Sequence, residues 1–245
     1  MPCFKMNRVL TAILLFIGFD SFGEVRVDTL FVVLSKKPPL VHSTLKFPVI
    51  KTGDQKVDEL INKDLKNRFT DNEYPNLSTD STLLKWADDI ITSLDFDVTL
   101  NKNGLISLKI GAEGCGAYCT NWSKYFTYST TTGKPLSINE VVDTAGRFKS
   151  MVVADKNKQY EKQRKTLKDM LTTKDSGLDE DTYQWALEQY NECAESFALQ
   201  DFALYPNHLE IIAHCYLPNA IKNLAPVIEL KYSYTNIRAY LKIEN

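Results

Sequence analysis

The chain has 245 residues, of which 44% are apolar, 11% aromatic and 24% charged. That is the make-up of a packed protein with material for one large domain or two small ones, and it excludes a disordered chain. A formal net charge of −2 leaves no global field to draw nucleic acid or an anionic membrane, so no nucleic-acid partner is expected.

At the N-terminus Lys5 and Arg8 precede an apolar run from Val9 to Phe19, and Ser21-Phe22-Gly23 follows. This order is that of a secretory signal peptide over residues 1–23, cleaved after Gly23. The run falls well short of the roughly 20 residues of a spanning helix. The expected mature form is exported, periplasmic or extracellular, without a membrane span. In an oxidising compartment Cys115, Cys119, Cys193 and Cys215 are expected to form two disulfides. Three connectivities are open. The favoured one joins Cys115 to Cys119 across Gly116-Ala117-Tyr118, and Cys193 on a helix to Cys215 on a strand. In the alternative the two loop cysteines bridge to Cys193 and Cys215. The spacing is poor for a zinc site, so no metal is expected.

Val25, Val27 and Leu30 to Leu34 predict a first strand, ended by Lys36-Lys37-Pro38-Pro39. A second extended segment runs from Leu40 to Ile50, with Pro48 marking a sheet edge or bulge. Val57, Leu60, Ile61 and Leu65 recur at helical spacing and predict an amphipathic helix over 54–69. After a polar loop, a second helix capped by Asp80 or Ser81 carries an apolar face of Leu83, Leu84, Ala87, Ile90, Ile91 and Leu94. Phe96, Val98 and Leu100 then alternate with polar residues, the period of a half-buried strand. Asn103-Gly104 supplies hairpin chemistry. Ile106, Leu108 and Ile110 resume the alternation, and Trp122, Phe126 and Tyr128 continue it, giving a three-stranded meander closed by Thr132-Gly133-Lys134-Pro135.

A short helix follows over 138–143, then a long one over 145–173. Residues 147–174 hold nine basic and three acidic side chains, and residues 175–195 hold seven acidic and no basic ones. A helical hairpin whose halves neutralise each other explains this better than a polyanion site. Residues 197–204 and 209–216 predict a hairpin across Tyr205-Pro206-Asn207-His208. A strand over 226–230 and a terminal helix capped by Ser233, with Tyr234, Ile237 and Leu241 on one face, complete the chain. The expected fold is α+β, with a mostly antiparallel sheet (central meander plus C-terminal hairpin), packed helices and an inserted charged helical hairpin. Residues 24–95 are expected to form a strand–helix subdomain and residues 96–245 a C-terminal α+β domain.

The ordered set of Phe47-Pro48-Val49-Ile50, Asn103 to Leu108, the Gly-Ala loop, and Thr132-Gly133-Lys134-Pro135-Leu136-Ser137-Ile138-Asn139-Glu140-Val141-Val142 resembles a known family. This is the extracytoplasmic domain of unknown function shared by the anti-sigma factor RsiV and the N-terminal region of the deacetylase PdaC. The resemblance covers residues 40–242. It implies a non-catalytic binding or sensing domain of the bacterial cell envelope, its partner a protein such as lysozyme or a cell-wall glycan. Where the family often has Gly-Ala-His, this chain has Gly116-Ala117-Tyr118.

Chemistry-bearing motifs are sparse. His42, His208 and His214 lack metal-ligand spacing and read as structural or exposed. There is no G-x-S-x-G nucleophile turn and no phosphate-cradling glycine loop, so no cofactor is expected. Asp88-Asp89 and Asp179-Glu180-Asp181 read as helix-surface and helix-start carboxylates. Among the aromatics Tyr118, Trp122, Tyr125 and Tyr128, strand alternation sends half into the core. Tyr118 and Trp122, beside the cysteine loop, are the expected ligand-binding residues. The alternative is an uncharacterised cell-wall hydrolase or deacetylase-associated enzyme, which a cleft lined by His214 and carboxylates would support.

Overall fold

A computed structural model describes residues 24–34, 43–87, 91–173 and 176–243. The expected signal peptide, the 36–39 turn, His42 and Asp88-Asp89 lie outside the described residues. The fold is α+β and every strand pairing is antiparallel. Strand β1 (Arg26–Leu34) pairs with β2 (Ser43–Lys51), and Pro48 sits opposite Thr29 in this two-stranded ribbon. A residue lacking an N–H is tolerated where a strand has one ladder partner.

Helix α1 (Gln55–Phe69) starts at Asp54, whose carboxylate accepts from the amides of Lys56 (2.8 Å) and Val57 (3.3 Å). Val57, Ile61, Leu65 and Phe69 recur every fourth residue and are all buried. The Asn62 amide docks the helix on β2, accepting from Ile50 N at 2.8 Å and donating to Ile50 O at 2.9 Å.

Helix α2 (Thr79–Ala87) is shorter than its apolar pattern predicts. Ile91 and Leu94 belong instead to β3 (Ile91–Lys102), where they face Gly114 and Ala112 and are buried. A short apolar run fits either period, and pairing with β4 (Leu105–Cys115) decides it. The β3–β4 turn has the expected chemistry, with Asn103 at φ 54° and Gly104 at φ 73°. The alternation across Phe96, Val98 and Leu100 is broken by a register shift between Val98 and Leu100. Val98 is exposed and Thr99 turns inward.

Strand β5 (Cys119–Ser129) completes the meander. The largest apolar core runs from Val32 on β1 to Tyr128 on β5, and so packs across residue 95. Tyr128 is buried, and its hydroxyl donates to Asp64 Oδ2 at 2.9 Å, locking the meander to α1.

Burial and the Asp64 charge raise the Tyr128 phenol above its ordinary 10.0, and burial pushes Tyr125, Tyr205 and Tyr234 up to about 12. A raised phenol gives its full stabilisation below the unfolded pKa and loses it as pH climbs through the folded value. Stability should therefore fall from pH 10.0 upward. Tyr128→Phe, less stable at neutrality through loss of the Asp64 bond, should fall less steeply there. Urea midpoints from neutrality to pH 12 check this, and parallel curves for the two proteins would overturn it.

The third sheet comprises β6 (Phe202–Leu204), β7 (His208–Ile211) and β8 (Leu230–Ser233). Its hairpin is shorter than predicted, because the chain leaves the ladder after Ile211 apart from one bond from Ile212 N to Asp201 O at 2.9 Å. Cys215 consequently lies beyond the strand, in a segment without regular secondary structure. The sheet is joined to the meander through the buried Ser107 hydroxyl, which accepts from Leu204 N at 3.1 Å and from Thr127 Oγ1 at 3.2 Å.

A second core gathers this sheet, the short helix α3 (Ile138–Val141) and the start of α4 (Arg147–Thr172). The terminal helix α6 (Tyr234–Ile237), capped by Ser233, is one turn long, and Leu241 bridges Val142 instead of extending it.

Helices α4 and α5 (Glu180–Glu195) form the predicted hairpin, turning through Gly177 at φ 69°. They meet through Tyr160, Leu167, Ala186 and Tyr190, packed on a 3-10 turn at Asn219–Leu224. Among the described residues no ion pair joins them; the polar contacts are Arg164 Nε donating to Asn191 Oδ1 at 3.1 Å and Lys156 Nζ donating to Ala194 O at 2.5 Å. Apart from the buried Lys156, the charges lie on the outer faces, so mutual neutralisation acts over distance and not through paired side chains. Among the described residues no helix is long and apolar enough to cross a membrane.

Candidate binding cleft

Three parts of the fold converge on an open cleft of about 490 Å³. Residues Trp122 to Phe126 of β5 form one wall, Arg68 and Asp71 at the end of α1 form the floor, and Asp201, His214 and Tyr216 form the far wall. The bond from Leu204 N to the Ser107 hydroxyl holds β6 on the meander and so sets the far wall beside β5.

The floor comes from the way α1 ends. Past Thr70 the chain enters the left-handed region at Asp71 (φ 50°) and Asn72 (φ 60°) without a glycine, which short polar side chains tolerate. This conformation sets the Asp71 carboxylate against Lys124, with both oxygens at 2.7–2.8 Å from Nζ. Lys124 also donates to Phe69 O at 3.0 Å, placing its positive charge at the carbonyl end of the helix. The guanidinium of Arg68 lies over the Phe126 ring, 5.2 Å from its centroid, and reaches Asp64 at 3.6 Å.

On the far wall His214 is held at both ring nitrogens. Nε2 stands 3.0 Å from Asp201 Oδ2, and Nδ1 stands 2.9 Å from the Tyr216 hydroxyl. A carboxylate only accepts, so Nε2 carries a proton; a neutral ring then accepts the Tyr216 hydrogen at Nδ1. The His214 hydrogen bond, opposed by burial and helped by the Arg68 charge, holds the Asp201 carboxyl below the usual carboxylate range. His214 stacks on Tyr216 with ring centroids 5.5 Å apart, and Tyr125 lies 6.4 Å away at a tilt. Burial first, then the Glu210 charge, raises the Tyr125 phenol to about 12, so it stays a neutral donor. The result is a continuous aromatic face with polar edges.

Of the two residues singled out as ligand contacts, Trp122 reaches the cleft and Tyr118 does not line it. Trp122 is half-buried, packs against Trp86 with centroids 6.3 Å apart, and covers Gly114, where an added Cβ would come within 3.2 Å of its ring. Tyr118 stands 69% exposed at the tip of the β4–β5 hairpin. Both favoured disulfides are present. Cys115–Cys119 closes that hairpin tip, and Cys193–Cys215 ties the segment bearing His214 and Tyr216 to the end of α5. Glu113 lies near Cys115 and Cys119, but bridged sulfurs offer no thiolate to a metal.

Sequence reasoning read His214 as structural or exposed but kept it, in a cleft with carboxylates, as the mark of the enzyme alternative, and it did not single out Arg68, Asp71, Lys124, Asp201 or Tyr216. The signal for one pair was present: a hairpin centred on 205–208 brings 201 beside 212, one short step from His214.

No protein-family model matches the chain, and no curated protein matches it. Among solved structures, a member of the DUF3298 family from Bacteroides fragilis superposes with a TM-score of 0.57 over 90% of this chain and 95% of that one, at 13% identity. A DUF3298 family protein from Pseudomonas aeruginosa PAO1 superposes with a TM-score of 0.51 over 90% and 96%, at 15% identity. The chain shares the fold of DUF3298 proteins. A fold supplies a scaffold, and the chemistry has to be argued from the cleft.

Proposed function

We propose that the protein is an extracytoplasmic binding or sensing module, of the kind found in the RsiV/PdaC-like family, that holds a cell-wall glycan in this cleft. The observation that carries the reading is the aromatic face of Tyr125, His214 and Tyr216 opposite the charged floor. Sugar rings present a C–H face that packs on aromatics and hydroxyls that need both donors and acceptors, and the cleft offers all three. Two disulfides and the lack of a membrane-crossing helix among the described residues are compatible with an exported domain.

The enzyme reading rests on His214 standing between a carboxylate and a hydroxyl, an arrangement that can relay a proton. Both ring nitrogens are already occupied, which suits a fixed wall better than a free base.

Soluble peptidoglycan fragments titrated against the protein, with the fragments followed for breakdown, separate these readings. Intact fragments should bind, and Tyr216→Ala should weaken binding roughly twofold to tenfold, the loss of one aromatic contact. Trp122→Ala should weaken it too, though its core packing makes the exposed Tyr216 the cleaner site. Breakdown abolished by His214→Ala would favour the enzyme. Capture of lysozyme instead, indifferent to Tyr216→Ala, would move the partner elsewhere and overturn the glycan reading.

A further inference from the structure

The charges lining the cleft differ in how far they are already satisfied. Lys124 is committed, with two contacts to Asp71 and bonds to the carbonyls of Phe69 and Arg68. Asp201 gives one oxygen to His214. Arg68 differs from both. Its side chain is 46% exposed, its charged contact among the described residues is Asp64 at 3.6 Å, beyond hydrogen-bond length, and it also acts on the Tyr128 hydroxyl, which leaves part of the fork open to solvent. Asp64 is itself occupied by the Tyr128 hydroxyl at 2.9 Å. The guanidinium is fixed over the Phe126 ring, so its forked donors are presented in one orientation. Arg68 lines the same cleft as Asp201, His214 and Tyr216.

We propose that the cleft is selective for an acidic sugar, a pyranose that packs on the Tyr216–His214 face while its carboxylate takes the Arg68 fork. This rests on the glycan reading above and adds the charge of the ligand. Planar, bidentate capture of a carboxylate is the task for which arginine is suited and lysine is not. The second oxygen of Asp201 remains as an acceptor for a ring hydroxyl. An electrostatic contact at this exposure weakens with salt.

The test uses two disaccharides that differ at one group, N-acetylglucosaminyl-N-acetylmuramic acid, which carries a lactyl carboxylate, and neutral N,N′-diacetylchitobiose, written chitobiose below. Titrations followed by NMR should give the acidic sugar roughly tenfold tighter binding at low salt, as expected for one charged hydrogen-bonded contact. Arg68→Gln should remove the preference, bringing the acidic sugar down to the level that chitobiose shows with the same variant. Arg68→Lys, with charge but no fork, should recover only part of the difference. Equal binding of the two sugars by the native protein, or a preference that survives Arg68→Gln, overturns the proposal and leaves the glycan reading standing. Binding of free lactate as tight as the disaccharide overturns it also, since the ring would then contribute nothing. Failure of both sugars to bind removes the glycan reading as well.

Discussion

Phe69→Ala should cost roughly 3–5 kcal/mol and lower the melting temperature by roughly 10 °C, the loss expected for a fully buried aromatic side chain. Phe69 is fully buried at the last position of α1. Its ring meets Phe47 of β2 edge-on at 5.6 Å and Trp86 of α2 at 4.9 Å, so one side chain joins three elements of the largest core. Truncation would remove both contacts and leave a cavity that a helix end pinned on two sides cannot close. The same residue's carbonyl accepts from Lys124 in the cleft floor, so the destabilised end should also loosen Asp71. Phe69→Leu keeps most of the volume and should cost less than half as much. Urea unfolding of the three proteins measures it. A loss below about 1 kcal/mol for the alanine variant would mean that the helix end repacks, contrary to the pinned geometry.

The parts of this molecule that were legible beforehand are those in which local chemistry and packing agree. Apolar residues at helical spacing over 54–69 gave α1, Asn103-Gly104 gave the hairpin, and adjoining stretches of opposite charge gave the α4–α5 hairpin. Expectation failed where long-range pairing chose between two acceptable local states. Ile91 and Leu94 satisfy helical spacing after Ala87, and partners on β4 drew them into a strand. The bulge that exposes Val98 has no local signature, since it answers to the register of β4. The cleft was harder still. Arg68, Lys124, Asp201 and His214 come from four separate stretches, and each alone reads as an ordinary surface residue. The end of α1 packed on β5 joins Arg68 to Lys124, and the packing of β6 on the meander, through the Ser107 hydroxyl, brings Asp201 and His214 beside them. Trp122 was found because aromatic clustering beside a cysteine loop is visible locally, while the Tyr216–His214 face it looks across was not.

Removing the Cys193–Cys215 bridge, as Cys193→Ser with Cys215→Ser, should lower stability by about 3 kcal/mol and weaken ligand binding as well. The first effect follows from chain entropy. The bridge closes a loop with a separation of 22 residues, whereas Cys115–Cys119 spans 4, for which the same relation gives about 2 kcal/mol. The second effect follows from position. Residues 212–218 lie outside any strand, and the ladder ends at Ile211. Cys215 stands between His214 and Tyr216, so the disulfide anchors the aromatic face directly. Without it, the Asp201–His214–Tyr216 chain has to be held by its own exposed hydrogen bonds, and ordering it would be charged against the ligand. The Cys115→Ser, Cys119→Ser protein is the control, because its bridge closes a hairpin already zipped by the β4–β5 ladder. At a temperature where both variants remain folded, affinity for peptidoglycan fragments should fall in the first and hold in the second. Equal affinities in the two would mean that the far wall is rigid without its tether, leaving the bridge a role in stability alone.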